Sequence, residues 1–443
     1  MEWRHVEAAR RVLASETGAI VRDWGGQLPL ALAYPNTYTV GMSSLAIHTL
    51  YRLFNDTPGI LCERTFASLG NRASPDAPLL TLETQRPVRE VAVLAFSVSF
   101  EMDYFNVIDM LRRAEIPVRA GERGRYDPLV IFGGPAVSAN PEPLALIADA
   151  IVVGELEPVV ADLTDCLHPP GGQDREDTLA EISQIPGVYV PALHEGERIQ
   201  RQLLEDLDAY PTATTIIAPR AEFGDMYLIE IARGCGRGCR FCLAGYWYRP
   251  PRQRSVEQIL RQAQEGLKYR DKVGLVASAV SDYVEIEALV TGLRDMDAQI
   301  SVSSLRVKPL PPILVRALAE SGAQAITLAP EAGSERLRRA IAAGLESLGY
   351  RVIATGDGRE ALEAVAEQEV DLVLTDVVMP HMGGEALLRA LRGRGAELPV
   401  IAMTGHVVDR DMEELRTAGF ADALPKPFSM EALNRVVRGV MKR

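Results

Sequence analysis

Three of the five cysteines in this 443-residue chain, Cys235, Cys239 and Cys242, fall within eight positions, spaced C-x3-C-x2-C. Thiolates this close in sequence can turn toward one point only from a shared loop. Gly234, Gly236 and Gly238 give that loop its backbone freedom. Soft sulfur donors select iron–sulfur clusters, zinc or copper(I) over hard cations. Structural zinc takes four protein ligands, and no fourth Cys or His lies nearby in the sequence. A cubane cluster held by three cysteines would leave one iron open for chemistry. A second constellation follows later: Asp376 ahead of Val-Val-Met-Pro, Thr404 closing an apolar run, and Lys426 in Lys-Pro-Phe. Each follows a strand-like run, so the three can meet at one edge of a doubly wound sheet, where such sheets bind ligands.

The elements that must carry these residues alternate between strand and helix, which defines an α/β protein. Helix-like spacing covers 7–15, 42–54 and 102–114, and strand-like runs cover 19–22, 28–34, 91–99, 129–132 and 150–153. The continuous apolar run at 91–99 suits a parallel sheet covered on both faces. The loops at 35–41, 97–103, 133–138 and 154–157 would line its carboxyl edge. Residues 166–218 are less regular: Pro169-Pro170-Gly171-Gly172 reads as a linker, with short strands expected at 187–191 and 198–204. From residue 226 the pattern restarts, with strands at 227–232, 273–277, 299–303 and 325–328 and helices at 256–269, 285–296 and 312–321. Four strand–helix repeats, with the cysteine loop after the first strand, suggest part of a (β/α) barrel read at its carboxyl face. The last third repeats the alternation, with strands at 351–354, 371–375 and 399–403 and helices at 360–367 and 384–391.

Composition narrows the function classes. The length exceeds what one core usually serves, and 47% hydrophobic with 24% charged residues is a globular balance. A formal net charge of −13 argues against a general nucleic-acid or membrane-surface binder, because phosphate-rich partners would be repelled. No apolar run reaches the roughly 18 residues of a membrane span, and the first residues lack the apolar core of a signal peptide. An odd, unevenly spread cysteine count does not suit a disulfide framework. The expected compartment is the cytoplasm.

C-x3-C-x2-C with the aromatic Phe241 just before the last cysteine resembles the radical-SAM superfamily. The flanking Arg233-Gly234 and the stretch from Leu328 through Glu331 to Arg338 resemble the branch with N-terminal cobalamin-type domains. The resemblance implies that Cys235, Cys239 and Cys242 hold a 4Fe–4S cluster. It implies too that the open iron chelates S-adenosylmethionine, and that an electron from a reductant such as flavodoxin or ferredoxin yields a 5′-deoxyadenosyl radical acting on an unknown substrate. Phe241, Ser303, Arg306 and Glu331 would be cofactor-binding residues, although Arg306 or Glu331 could equally pair with a loop charge. The glutamate-containing motif that usually follows the second strand is replaced by Ala277-Ser278-Ala279. Tyr246, Tyr248 and Arg249 could flank the cluster or the substrate, or form a lid.

The N-terminal region resembles flavodoxin-like cobalamin-binding domains, whose D-x-H-x-x-G turn supplies a histidine to cobalt. Here the turn reads Asn36-x-Tyr38-x-x-Gly41. The glycine is kept, but a phenol replaces the imidazole, and a neutral phenol is a poor cobalt ligand. Cobalamin binding would therefore have to do without that ligand.

Residues 341–443 resemble the receiver domain of two-component response regulators. The resemblance makes Asp376 the phosphoacceptor, Thr404 a hydrogen-bonding partner of the phosphoryl group and Lys426 its counter-charge, with a sensor histidine kinase as partner. Receivers hold Mg²⁺ through an acidic pair ending their first strand. The equivalent position falls near Ala332-Gly333, with Glu331 the nearest carboxylate, so weakened Mg²⁺ binding is expected. The domains expected are a cobalamin-type α/β domain at 1–165, a connecting segment at 166–218, a partial radical-SAM domain at 219–340 and the receiver at 341–443. The receiver would borrow 325–340 as its first β/α unit. Two further readings fit: a phosphorelay protein whose N-terminal part only binds a ligand, and a non-functional join of two truncated proteins.

Overall fold

A computed structural model describes residues 3–70, 77–168, 174–237, 239, 242–303, 305–306, 310–321, 341–342, 345–346, 349–377, 382–404, 415, 417–425, 428 and 430–441. The chain divides into two compact units, one of residues 1–276 with 292–298, the other of 277–291 with 299–443. Phe241, Glu331, Lys426 and the expected first receiver unit at 325–340 lie outside the described residues.

The first unit is built on a six-stranded sheet: β1 (Leu28–Thr37), β2 (Ile60–Ser68), β3 (Val93–Ser97), β4 (Leu129–Gly133), β5 (Ala150–Val152) and β6 (Val188–Tyr189). Their order is β2-β1-β3-β4-β5-β6; the first five are parallel, and β6 joins antiparallel. This is the flavodoxin-like arrangement, with the strand order reversing between β1 and β3. Alternation along β1 shows how the sheet is buried on both faces. Leu30, Leu32 and Tyr34 enter one core with Ile47, Tyr51 and Phe54 of helix α2 (Leu45–Asp56). Ala31 and Ala33 enter the other with Val107, Met110 and Leu111 of helix α3 (Tyr104–Arg113).

Three local expectations differ from the structure. Strand β2 is one that the sequence reading does not include; Glu63 and Arg64 interrupt its apolar run. Both are buried in the sheet, where Arg64 pairs with Glu16 at 2.6 Å and Glu83 at 2.7 Å. Glu63 accepts hydrogen bonds from Trp24 Nε1 and Thr84 Oγ1. Charges that find partners within the fold can sit in a strand that hydropathy alone rejects. Conversely, residues 19–22 and 198–204 form no strand: the first has only the isolated bridge of Thr17 to Ile217 beside it, and the second only that of Gln202 to Gly154 within it. The short strand expected within 187–191 is β6.

Strand β7 (Tyr227–Glu230) continues through β8 (Ala232–Arg233), which pairs antiparallel with β9 (Arg252–Gln253). Helix α4 (Val256–Gly266) follows, its Ser255 N-cap accepting from Gln258 N. The chain then enters β10 (Lys272–Val276), parallel to β7 with Val273 opposite Tyr227. This β/α/β unit matches the first repeat expected of the barrel-like region.

The second unit contains β11 (Gln299–Val302), helix α5 (Pro312–Glu320) and the receiver-like region. The latter has β12 (Val373–Asp376), β13 (Val400–Thr404) and β14 (Asp422–Pro425), all parallel and consecutive in the sheet. Helices α6 (Gly358–Glu367) and α7 (Gly384–Gly393) join one core with Val373 and Val400. Helix α8 (Met430–Met441) packs Leu433 and Val437 against Ile401 and Leu424 in the other. The strand expected at 351–354 is absent: these residues form no ladder. A cavity of about 500 Å3, lined by Val352, Ile353, Leu374 and Asp376 among others, lies between this segment and β12. In a doubly wound receiver the neighbour of this segment is the first strand, whose sequence counterpart lies outside the described residues.

Candidate cofactor and phosphoacceptor sites

The cysteine loop is an excursion from residue 234 to 251 that leaves from β8 and returns into β9, so its two ends are held side by side. Gly234 is obligatory at its entrance. It has φ of +90°, and an added Cβ would lie 2.1 Å from Tyr248 O. Cys235, Cys239 and Cys242 are all half-buried in this loop and outside any disulfide, with Cys242 N donating to Cys239 O. The structure brings them into one loop but not into a converged set: among the described residues, no group of three or more His, Cys, Asp or Glu side chains is placed to hold a metal. The donor chemistry, three accessible soft thiols on a glycine-rich loop, nonetheless suits an iron–sulfur cluster.

What fixes the loop is an ion network not visible in the sequence. Arg233, the residue before Gly234, contacts Glu155 at 3.0 Å, Glu157 at 3.0 Å and Glu230 at 2.9 Å. Arg252, opposite it on β9, reaches Glu155 at 2.8 Å, and Arg254 reaches Glu230 at 2.8 Å. Glu155 also accepts from Leu204 N. Burial alone would lower the Arg233 pKa, but the carboxylates of Glu230, Glu157 and Glu155 outweigh it and hold the guanidinium well above its ordinary value. Burial likewise works to raise Glu155, and Arg252 with Arg233 hold it below the ordinary carboxylate range. The network therefore stays ionised. It ties both ends of the cysteine loop to the acidic loop after β5. Gly154 opens that acidic loop with φ of +111°, and a Cβ there would meet Gln202 O at 2.3 Å. The far side of the loop is held by Arg201, which stacks on Trp247 at 4.9 Å and donates to the carbonyls of Trp247 and Arg249. Arg249 stacks on Tyr246 at 5.0 Å and donates to Arg237 O, so Tyr246 and Arg249 brace the loop from within. The signal available in sequence was the Gly154-Glu155 strand end and an arginine abutting the first loop glycine; nothing in the spacing joined them.

The turn at 36–41 faces inward. Tyr38 is buried, donates its hydroxyl to Glu16 at 2.6 Å and packs edge-on against Phe66. Burial, then the Glu16 carboxylate, pushes its phenol well above the ordinary value. Asn36 donates to Asp103 and accepts from Thr37 N. Gly41 is a packing requirement, since a Cβ would come within 2.5 Å of the Phe66 ring. These residues do not fit an axial cobalt ligand set, because the Tyr38 hydroxyl is spent on Glu16 and the Asn36 amide on Asp103.

In the second unit, Ser303 Oγ donates to Ala277 O and accepts from Ala277 N, so its hydroxyl is engaged in bridging two loops. Arg306 is buried and contacts Asp282 at 3.0 Å, while its N–H donates to Ser281 Oγ. Asp376 ends β12 and Thr404 ends β13; the ladder pairs Asp376 with Met403 and Thr404 with Pro425. Two of the three receiver residues thus stand at adjacent parallel strand ends, and the third, Lys426, follows β14 directly in sequence. Gly384 closes over this edge: a Cβ there would meet Asp376 O at 2.5 Å.

Comparison with known proteins matches two parts of the chain. Residues 46–191 match the family of radical SAM proteins, N-terminal region, and residues 334–438 match the response regulator receiver domain. The chain joins a radical-SAM N-terminal region to a response-regulator receiver domain. Over 321 residues it is 33% identical to an uncharacterized protein of Methanocaldococcus jannaschii, covering 70% of this chain and 62% of that one. Over 111 residues it is 37% identical to the response regulator MprA of Mycolicibacterium vanbaalenii, covering 24% of this chain and 46% of the regulator. The chain thus spans less than two thirds of the length of each. Among solved structures, the receiver domain of Francisella response regulator 1452 is 29% identical over 25% of this chain and 92% of its own, with a TM-score of 0.24. Among the described residues, no helix is long and apolar enough to cross a membrane.

Proposed function

We propose that the chain is an iron–sulfur protein of radical-SAM type with a phosphoacceptor receiver attached, organised as domains at 1–165, 219–340 and 341–443. The observation that carries the reading is the cysteine loop itself: three soft donors on a glycine-opened excursion whose two ends are clamped by Arg233 and Arg252 to Glu155. When bound, the cluster would supply the electron that cleaves S-adenosylmethionine to a 5′-deoxyadenosyl radical. The chain's own contribution is positional. Arg233 fixes the take-off of the loop, Arg201 fixes its return, and the ionised network keeps both in place without drawing on the thiols. The electron would come from flavodoxin or ferredoxin.

In the receiver, Asp376 would accept a phosphoryl group from a sensor histidine kinase. The adjacent strand ends support this by putting the Thr404 hydroxyl on the neighbouring strand, with Lys426 next in line. Mg²⁺ binding would be weak, because Asp376 is offered without an acidic pair. Anaerobic supply of iron, sulfide, reductant and S-adenosylmethionine should release 5′-deoxyadenosine from the wild type and not from Cys239→Ala. Acetyl phosphate with Mg²⁺ should label the wild type and not Asp376→Asn. Labelling without deoxyadenosine would favour the phosphorelay reading, in which the N-terminal part only binds a ligand. Failure of both would favour a join of two inactive parts.

A further inference from the structure

The turn at 36–41 stands where the strand order reverses between β1 and β3, the place at which doubly wound sheets take ligands. Its lack of an imidazole leaves one route to cobalamin, binding without a cobalt ligand. That route needs room beside the turn. An added Cβ on Gly41 would meet the Phe66 ring at 2.5 Å and the Tyr34 ring at 3.1 Å, so the room this glycine leaves is already taken by protein. Tyr34, Tyr38, Met42 and Phe66 are each at most 4% exposed and share one core with Ile47 and Tyr51. Cores packed in this way hold few voids. A cavity of about 500 Å3 does touch Phe66, but the first helix (Trp3–Leu13) and residues 77–82 help to wall it, and no residue of 34–42 does.

The rings cannot easily move aside, because buried charges hold them. Tyr38 donates its hydroxyl to Glu16 at 2.6 Å, and Arg64 donates to the same carboxylate through Nη1 at 2.9 Å and Nη2 at 2.6 Å. Arg64 Nε donates to Glu83 at 2.7 Å, and the guanidinium stacks on Tyr51 at 5.1 Å. The side chains of Glu16, Arg64 and Glu83 are all fully buried. Turning Tyr38 toward the strand ends would take a donor from a buried carboxylate, at the cost of that group's desolvation.

The loops on the β3 side are tied to one another as well. Asn36 and Asn106 donate to Asp103 Oδ1 at 2.9 and 3.2 Å, and Asn106 also donates to Pro35 O at 2.9 Å. Val98 N donates to Gly133 O at 2.9 Å, and Ala136 N to Val98 O at 3.3 Å. Gly134 comes so near that a Cβ there would lie 2.5 Å from Val98 O. Each junction that a group entering beside β1 would have to open is closed by the chain itself.

We propose that the N-terminal domain binds no cobalamin, with a cobalt ligand or without one, because its own side chains fill and lock the turn where the cofactor would enter. Radical chemistry in this chain then draws on the cluster and S-adenosylmethionine alone. That consequence rests on the cluster proposed at the cysteine loop; the closed turn does not.

The test is retention of hydroxocobalamin and of its cobalt(II) form by the full chain, read as corrin absorbance after gel filtration, with iron measured on the same reconstituted sample. The wild type should retain neither form. Tyr38→His should retain neither form too, because position 38 lies against Glu16 and Phe66. Saturable one-to-one retention by the wild type would overturn the proposal. So would retention gained by Tyr38→His, which would mean that only the imidazole was missing. Circular dichroism shows whether that variant folds; if it does not, the wild-type result decides alone. Corrinoid retained beside iron would overturn the closed turn and leave the cluster standing. Neither corrinoid nor iron would uphold the closed turn and remove the cluster.

Discussion

The two doubly wound regions of this chain answer the same folding problem with different side chains. In the first unit, six strands pair in sequence-distant order and both faces are covered, so even the charged strand β2 is accommodated. In the receiver-like region three consecutive parallel strands are described, and apolar side chains such as Val373, Val400, Ile401 and Leu424 fill the cores on either side. The difference teaches that strand character in sequence is conditional. A charged run becomes a strand where the fold brings counter-charges to it, as Glu16 and Glu83 do for Arg64.

Substitutions can break or sharpen that contrast. The largest effect is expected from Arg64→Leu, which leaves Glu16 and Glu83 buried without their shared cation. Unfolding of the N-terminal region should lose about 3–5 kcal/mol, read by denaturant titration, while the receiver transition stays where it was. His48 gives the next. Its ring is fully buried, with Nε2 against Met42 O and Nδ1 accepting from Thr215 N and Ile216 N. Burial lowers its pKa to about 4 from 6.5, and the nearby Arg64 charge adds to this, against the Met42 hydrogen bond. Because the unfolded chain takes up that proton first, the contribution is complete above about pH 6.5 and is lost as pH falls toward 4. The loss is about 3 kcal/mol. Denaturation across that range should show the slope, and His48→Gln should flatten it.

Gly41→Ala should destabilise by about 1–3 kcal/mol, as the new methyl meets Phe66; a thermal melt of the N-terminal region checks this. The smallest effect is expected from Val352→Ala beside the receiver cavity, about 1 kcal/mol, because Val352 is only half-buried where it packs on the core of Ile401 and Leu424. A thermal melt of the receiver region checks this, and a loss of several kcal/mol would contradict it.

Much of the fold was legible because parallel strands buried on both faces read as continuous apolar runs: β1, β3, β4, β5, β7, β10, β12 and β13 all lie where such runs stand. What could not be read was non-local. Arg64 looks like a strand breaker until Glu16 and Glu83 are beside it. Tyr38 sits at the position of an axial ligand in sequence, yet its hydroxyl turns to Glu16. The cysteines and Asp376 announce themselves by spacing and by the strands they follow. Arg233, Glu155 and Arg252, which clamp the cysteine loop, do not, because their pairing depends on β5 and β8 meeting in space.

The central claim, that the clamped loop at 234–251 is a cluster-binding loop, is tested most directly by iron and acid-labile sulfide content after anaerobic reconstitution. The account predicts about four of each per chain in the wild type, a cluster absorbance band, and loss of both in Cys239→Ala. Arg233→Met should retain the cysteines yet bind the cluster less stably, because the loop's take-off is no longer held. A wild-type chain that takes up no iron, or one whose iron is indifferent to Cys239→Ala, would contradict it.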